Sequence, residues 1–209
     1  EGKDEHLSLA ARVWQAAART DAGHLAPAES ICRAVLAAGV LNSGERARAE
    51  AKLAGILLWQ GRIDDASQRD LSSAEAAHES TAYVMAMAVR VALAVGDVFT
   101  AGQRARELLD LAGPCASGPP EGGPDVDDGP HQALARVLAL SAHVRVLMAT
   151  GDITSVEQRM QHLQHATQRA RLPLRLTRMR LLLHDVYRRA GRQQEAMREL
   201  SYLRRVQMA

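Results

Sequence analysis

Apolar and small residues recur every three or four positions along most of the chain, with charged and polar residues between them. This spacing lines up side chains on one face of an α-helix. The clearest stripe precedes Gly61 and contains Ala47, Ala51, Ala54, Leu57 and Leu58. No strand is predicted. The pattern predicts ten helices, at residues 6–20, 25–40, 45–60, 63–78, 80–94, 98–112, 131–149, 153–170, 173–189 and 193–207.

A six-residue phrase separates five pairs of these helices. It consists of a glycine, four mixed residues and a small residue, and it begins at Gly23, Gly61, Gly96, Gly151 and Gly191. Glycine accepts the left-handed backbone conformation that ends many helices, and a polar residue after it suits the start of the next helix. The small residue is expected where the two helices cross closely. Each phrase therefore predicts a turn between two antiparallel helices.

The phrases recur at an almost constant interval. Successive glycines are 38, 35, 55 and 40 residues apart. A period of this size with helices on both sides is typical of a solenoid of helix pairs. The single long interval contains residues 113–130, of which ten of 18 are glycine or proline, so a regular helix is excluded there. We expect one helical repeat domain over residues 1–209, with a flexible insertion at 113–130.

The phrases at 61–66 and 96–101 resemble the turn of the tetratricopeptide (TPR) repeat. The resemblance extends over nearly the whole chain. It implies an all-α fold, a right-handed α-solenoid of about five TPR-like antiparallel helix pairs. Such a solenoid acts through an extended surface, and the first helix of each pair lines its concave face. The resemblance therefore implies a module for binding or self-association.

The TPR register implies which side chains face inward. Counting back 13, 6, 3 and 2 residues from the glycines of the second to fifth turns gives, among others, Arg48, Gly55, Leu58, Trp59, Tyr83, Arg90, Leu93, Ala94, Arg145, Met148, Arg178, Arg188 and Arg189.

Five of these residues form the candidate groove for a ligand or partner: Trp59, Tyr83, Arg90, Arg145 and Arg178. Guanidinium groups hold carboxylate or phosphate through paired hydrogen bonds, and aromatic rings add contact area. An acidic peptide, an acidic partner helix or an anionic small molecule would fit. In the alternative interpretation, Trp59 and Tyr83 pack between repeats while the arginines pair with neighbouring carboxylates.

Composition and charge agree with a helical binding module. Hydrophobic residues make up 47% of the chain but aromatic residues only 3%, which favours closely packed helices. Residues 1–150 carry 14 Lys and Arg against 19 Asp and Glu, whereas residues 151–209 carry 12 against 5. The basic part suggests an acidic partner, a neighbouring acidic domain or phosphate, or else a solvated helix face. The net negative charge of residues 1–150 argues against direct binding of nucleic acid.

Candidate chemistry is sparse. No nucleophile with a base and an oxyanion-binding turn is recognisable, so we expect neither an enzyme nor a cofactor. His162 and His165 lie three residues apart but lack further ligands, and the sequence at 125–129 departs from a calcium loop, so no metal site is expected. Cys32 is predicted to lie in the core and Cys115 in a loop, which fits a reducing, cytoplasmic location. The sequence contains no continuous run of about 18 apolar residues, so no membrane helix is predicted.

Residues 45–50 and 57–62 are also similar to the repeat region of the large LuxR-type, MalT-like bacterial transcription regulators. In that family an ATPase domain precedes the repeats and a helix-turn-helix domain follows them. The resemblance implies a sensory or oligomerising middle segment. A stand-alone TPR adaptor or scaffold that grips an acidic protein segment is the alternative.

Overall fold

The computed structural model describes residues 2–38, 41–71, 78–113 and 130–207. Within these ranges the backbone forms ten helices and no strand. Nine of them match the predicted segments to within four residues at either end. The helices are α1 Gly2–Asp21, α2 Leu25–Ala37, α3 Ser43–Trp59, α4 Ile63–Ser67, α5 His78–Ala94, α6 Val98–Leu111, α7 Pro130–Thr150, α8 Ile153–Arg169, α9 Pro173–Arg189 and α10 Gln193–Gln207.

The helices pack as consecutive antiparallel pairs. Each odd-numbered helix contacts the even-numbered helix that follows it, and α3, α5 and α7 also pack side by side. The even-numbered helices α2, α4, α6 and α8 each contact the next odd-numbered helix. The odd-numbered helices therefore form one layer and the even-numbered helices the other, as expected of a stack of helix hairpins.

The predicted turns at the five phrase glycines are confirmed by their backbone. Gly23, Gly61, Gly96, Gly151 and Gly191 all have a φ between 74° and 85°. In the third turn, Gly96 N–H donates to the Leu93 carbonyl at 3.2 Å, and Asp97 N–H donates to the Ala92 carbonyl at 2.9 Å. The other four turns repeat this pair of bonds. These bonds satisfy the last carbonyls of each odd-numbered helix and reverse the chain.

The small residue that ends each phrase lies where the paired helices cross. The exposed fraction of these five residues is at most 2%, for Ala28, Ala66, Ala101, Val156 and Ala196. A larger side chain there would force the two helices apart.

The predicted polar cap forms at two of the turns. The carboxylates of Asp97 and Asp152 accept hydrogen bonds from Thr100 N–H at 2.9 Å and Ser155 N–H at 3.1 Å. Hydrogen bonding by the Thr100 and Ser155 side chains, together with these backbone bonds, lowers the pKa of both carboxyl groups. His24 and Arg62 provide no side-chain cap for α2 and α4. At those two turns the glycine conformation alone defines the start of the second helix.

The predicted fourth helix was too long. It was expected at 63–78, but α4 ends at Ser67. The Ser67 hydroxyl donates to the Asp64 carbonyl at 2.7 Å, a local bond that competes with the helical ladder. After Ala66 the next apolar residue is Leu71, five positions on, so a helix could not have kept both on one buried face.

The turn between α8 and α9 uses Arg171 where the five phrase turns use glycine. Arg171 has a φ of 55°, and Leu172 N–H donates to the Thr167 carbonyl at 2.9 Å. Since a side chain disfavours this conformation, Arg171→Gly is expected to raise the free energy of unfolding by about 1 kcal/mol. Gln168→Gly, within α8, is the control and should lower it by up to about 1 kcal/mol. Urea unfolding measures both, and a loss of stability in Arg171→Gly would contradict the turn assignment.

The core runs through the stack without interruption. One cluster joins α1 to α5, a second joins α5, α6 and α7, and a third joins α7 to α10. Cys32 lies in the first cluster as predicted, and its burial raises the pKa of the thiol to about 11. Cys115 and the predicted insertion at 113–130 lie outside the described residues, apart from Gly113, at a φ of 84°, and Pro130, the first residue of α7.

Helix α7 is the central helix of the fold. By length and composition its segment His131–Thr150 could cross a membrane. Its apolar residues, however, contribute to two of the three large core clusters, with Leu138 in one and Leu140 in the other. Packing within the protein therefore explains the apolar character of this helix.

Candidate ligand groove

The odd-numbered helices line a concave groove of about 410 Å³. Helices α1, α3, α5, α7 and α9 all contribute side chains to it, so the groove runs across all five helix pairs. A smaller cavity of about 90 Å³ opens beside it and shares Trp59, Arg90, Arg175 and Arg178 with it. The size of the groove lies in the range of pockets that bind small molecules.

The five predicted groove residues surround these two adjoining cavities. Trp59, Tyr83, Arg90 and Arg178 line the groove, and Arg145 lines the smaller cavity. The structure thus brings the five predicted residues together, although they come from four different helices. Their role in binding is a proposal that the geometry motivates.

The register was right for some positions and wrong for others. Residues 13 and 6 before the turn glycines line the cavities, as Arg48, Gly55 and Arg145 do. Residues three before the glycines of the second to fifth turns do not, because one residue rotates a helix by 100°, although Thr20, three before Gly23, does line the groove. Leu58, Leu93 and Met148 pack against the core, whereas Arg188 and Arg189 are exposed outside the cavities.

Both tryptophans of the chain lie in the groove and are exposed. Trp14 of α1 is 63% exposed and Trp59 of α3 is 57% exposed. The Arg48 guanidinium lies over the Trp14 ring, 5.1 Å from its centroid. Gly55 also lines the groove. A Cβ atom at this position would lie only 2.8 Å from Cε of Met87, so Met87 occupies the space that a side chain would need. The groove wall is therefore aromatic, and its floor is filled by α5.

The groove is strongly cationic. Arg48, Lys52, Arg90, Arg175 and Arg178 line it, and Arg145 lies in the adjoining cavity. Burial, together with the other arginines, lowers the pKa of Arg145 to about 10 and lowers that of Arg90 as well. Burial also lowers the pKa of Lys52 and of Arg175. The folded protein thus holds several cations where their charge is unfavourable.

One carboxylate lies among the groove residues that the structure describes. Asp21, near the end of α1, forms a salt bridge of 2.9 Å with Arg178 of α9. The two residues are 157 positions apart, and their bridge joins the first and last odd-numbered helices across the groove. Both side chains remain about half exposed, at 55% and 50%. The bridge closes one side of the groove without burying it.

The alternative interpretation of the five residues is right in part. Tyr83 packs against two core clusters, and burial raises the pKa of its hydroxyl. Arg178 has a carboxylate partner. Trp59, however, is exposed, and Arg90 and Arg145 form no hydrogen bond or salt bridge with the described residues. Packing and ion pairing therefore account for two of the five residues.

Sequence reasoning missed several groove residues. Trp14, Lys52 and Met87 each stand nine positions before a turn glycine. Arg175 stands three positions before Arg178, on the same face of α9. Steps of four, three and four residues connect positions 13, 9, 6 and 2, so helical periodicity alone would have added the ninth position. Asp21 stands two positions before Gly23, so the same register applied to the first turn would have selected it.

A second charged surface lies between α8, α9 and α10, around a cavity of about 440 Å³. Its charges are paired with one another. Arg192 bridges Glu157 at 3.0 Å and Glu195 at 2.8 Å, and Arg180 bridges Glu199 at 2.7 Å. Tyr187 donates to Glu157 at 2.6 Å, which with burial raises the pKa of the tyrosine. These ion pairs distinguish this surface from the groove, although the Nε atom of Arg180 is buried without a hydrogen-bond partner among the described residues.

The two histidines on α8 differ in their surroundings. His165 is exposed, but the Nδ1 atom of His162 is buried and has no hydrogen-bond partner among the described residues. Burial and nearby Arg159 lower the pKa of His162. In the described part of the chain, no group of three His, Cys, Asp or Glu residues is placed to hold a metal ion.

Comparison with solved structures identifies the architecture. The chain is similar to a protein described as a kinesin light chain of Podosopora anserina with nearly identical TPR-like repeats, at a TM-score of 0.55 and 18% sequence identity, over 96% of this chain and 95% of that one. A point variant of the same protein matches equally, with 94% of its length covered. The fold is a right-handed TPR-like solenoid. The predicted TPR-like fold is thereby confirmed. No protein-family model and no curated protein sequence matches the chain.

Proposed function

We propose that the chain is a cytoplasmic binding module whose concave groove captures an anionic ligand. The observation that carries this proposal is that Arg90 and Arg145 form no hydrogen bond or salt bridge with the described residues and lie beside two exposed tryptophans. An anion would neutralise charge that the described part of the protein leaves unmatched, and guanidinium groups bind carboxylate and phosphate well. Binding rather than catalysis is also the usual use of an extended solenoid surface.

The finer proposal is that the module senses its ligand within a LuxR-type, MalT-like transcription regulator. The similarity of residues 45–50 and 57–62 to the repeat region of that family motivates it. In this setting the repeats bind ligand or self-associate, and another domain contacts DNA. Binding of duplex DNA by this segment is not part of the proposal.

The Asp21–Arg178 bridge suggests how binding would change the module. Arg178 lines both cavities and also holds α1 against α9. An anion among the arginines would reduce their mutual repulsion and compete with Asp21 for Arg178. Ligand binding would then favour one curvature or one self-association state of the stack.

Native mass spectrometry of the purified protein tests the proposal. The wild type is expected to carry a small anionic molecule that the Arg90→Ala/Arg145→Ala double variant has lost. The matched control is Arg188→Ala/Arg189→Ala, which removes two exposed arginines of α9 outside the groove. The control should retain the ligand. Equal occupancy of both double variants would reject the groove as the binding site.

The alternative function is an adaptor that grips an acidic segment of a partner protein. The length of the groove, which runs across all five odd-numbered helices, favours it. The same two double variants distinguish the functions, because an adaptor would carry a partner chain rather than a small molecule. The Asp21–Arg178 bridge across the groove favours the small molecule, since it restricts entry of a helix.

A further inference from the structure

The smaller cavity beside the groove is lined by arginines from three helices. Arg90 comes from α5, Arg145 from α7, and Arg175 and Arg178 from α9. We call these four residues the arginine cluster. Their cavity of about 90 Å³ is far below the roughly 300 Å³ at which pockets for whole drug-sized ligands begin. It has room for one compact group of a ligand whose remainder lies in the groove.

The charge of the arginine cluster has no counterpart in its cavity. Among the described residues that line it, none is Asp or Glu. Arg90, Arg145 and Arg175 form no hydrogen bond or salt bridge with the described residues, and Arg178 is bonded to Asp21 on the groove side. Ser141 also lines the cavity, but its hydroxyl already donates to the Val137 carbonyl at 2.7 Å. The available donors are therefore guanidinium groups.

We propose that the arginine cluster binds a dianionic group of the phosphate class, and that the groove holds a flat, apolar body of the same ligand. A carboxylate carries one negative charge, whereas a phosphate monoester carries nearly two and three strong acceptor oxygens. Several guanidinium groups can donate to one phosphate at once. The inference rests on the proposed function and names the chemistry of its ligand.

The groove next to the cluster suits the apolar body. Trp59 lines both cavities, so it lies at their junction, and Trp14 lines the groove. Val13 and the edge of Met87 add apolar surface. Exposed tryptophans present large flat faces that stack well on another ring system. The arrangement of few charged groups beside an apolar wall is typical of sites for small organic ligands.

Isothermal titration calorimetry with naphthyl phosphate and naphthoate tests the inference, since both carry the same ring system. The wild type is expected to bind naphthyl phosphate about tenfold more tightly than naphthoate. Arg145→Met should abolish this preference, and Arg145→Lys should keep part of it because the charge remains. The control Arg188→Met should behave as the wild type. Inorganic phosphate should compete with naphthyl phosphate for the wild type.

Two results would overturn the inference. One is equal affinity of the wild type for the two probes, or failure to bind either. The other is an equal effect of Arg145→Met and Arg188→Met. If the native ligand still depends on Arg90 and Arg145 but carries no phosphate, the inference fails while the proposed function stands. If the native ligand is indifferent to the groove variants, both fail.

Discussion

Replacing Arg145 with methionine is expected to raise the free energy of unfolding of the unliganded protein by about 2 kcal/mol. Burial and the neighbouring arginines lower the pKa of Arg145 to about 10, so the folded state disfavours its charged form. At neutral pH the guanidinium is charged in both the folded and the unfolded chain. The folded state therefore bears the unfavourable charge, and it is relieved only as pH rises towards 10 and above. Methionine keeps most of the length of the side chain and removes the charge.

Urea unfolding at neutral pH and low phosphate measures this change. Arg188→Met is the control, because Arg188 is exposed on α9, and its free energy of unfolding should stay within about 0.5 kcal/mol of the wild type. A loss of stability in Arg145→Met comparable to that of a core substitution would mean that Arg145 is neutralised by a partner within the protein. A stabilised variant that has lost its ligand would indicate a residue retained for binding.

Replacing Leu108 with alanine is expected to lower the free energy of unfolding by about 3 kcal/mol. Leu108 of α6 is fully buried in the cluster that joins α5, α6 and α7. Removing its side chain deletes apolar contacts and leaves a cavity among helices that cannot close on it fully. Because this cluster lies in the middle of the stack, its loss weakens the contacts to the helix pairs on both sides.

Leu181→Ala is the matched control for this prediction. Leu181 lies on α9 and is 47% exposed, so its truncation should change the free energy of unfolding by less than about 0.5 kcal/mol. Urea unfolding followed by circular dichroism compares the two variants. Equal destabilisation by both would contradict the assignment of α6 to the core and of the outer face of α9 to the surface.

The repeat could be predicted from the sequence because its signals are local. The conformation of Gly96 and the bonds of Asp97 depend on residues within one turn of the helix. The burial of Ala101 follows from the same turn, since the chain reverses there and brings two helices together. Helix α4 is the exception, because the Ser67 hydroxyl bonds the Asp64 carbonyl and ends the helix earlier than the hydrophobic pattern predicted.

The groove could be predicted only in outline. Helical periodicity places Arg90 and Arg145 on the inner face of their helices, but it does not say whether a carboxylate meets them there. The Asp21–Arg178 bridge joins residues 157 positions apart, and the curvature of the whole stack determines it. The exposure of Trp59 depends on the same curvature. Distances between repeats accumulate over five pairs, so pattern arguments that hold within one pair lose precision across the groove.

The arginine cluster makes binding and stability oppose one another. Tyr83 packs against the hydrophobic core and also lines the groove, so it contributes to stability as well as to the site. Arg145 serves the core in no comparable way, because its charge is unpaired in the part of the chain that the structure describes. Functional sites commonly keep such unfavourable groups because a ligand relieves them.

Thermal unfolding in sodium phosphate and in sodium chloride of equal ionic strength tests most directly whether the groove binds anions. Phosphate is expected to raise the Tm of the wild type by about 4 °C relative to chloride. It should raise the Tm of Arg145→Met far less, while Arg188→Met should respond as the wild type does. A phosphate effect of the same size in all three proteins would reflect general salt stabilisation and would contradict an anion site in the groove.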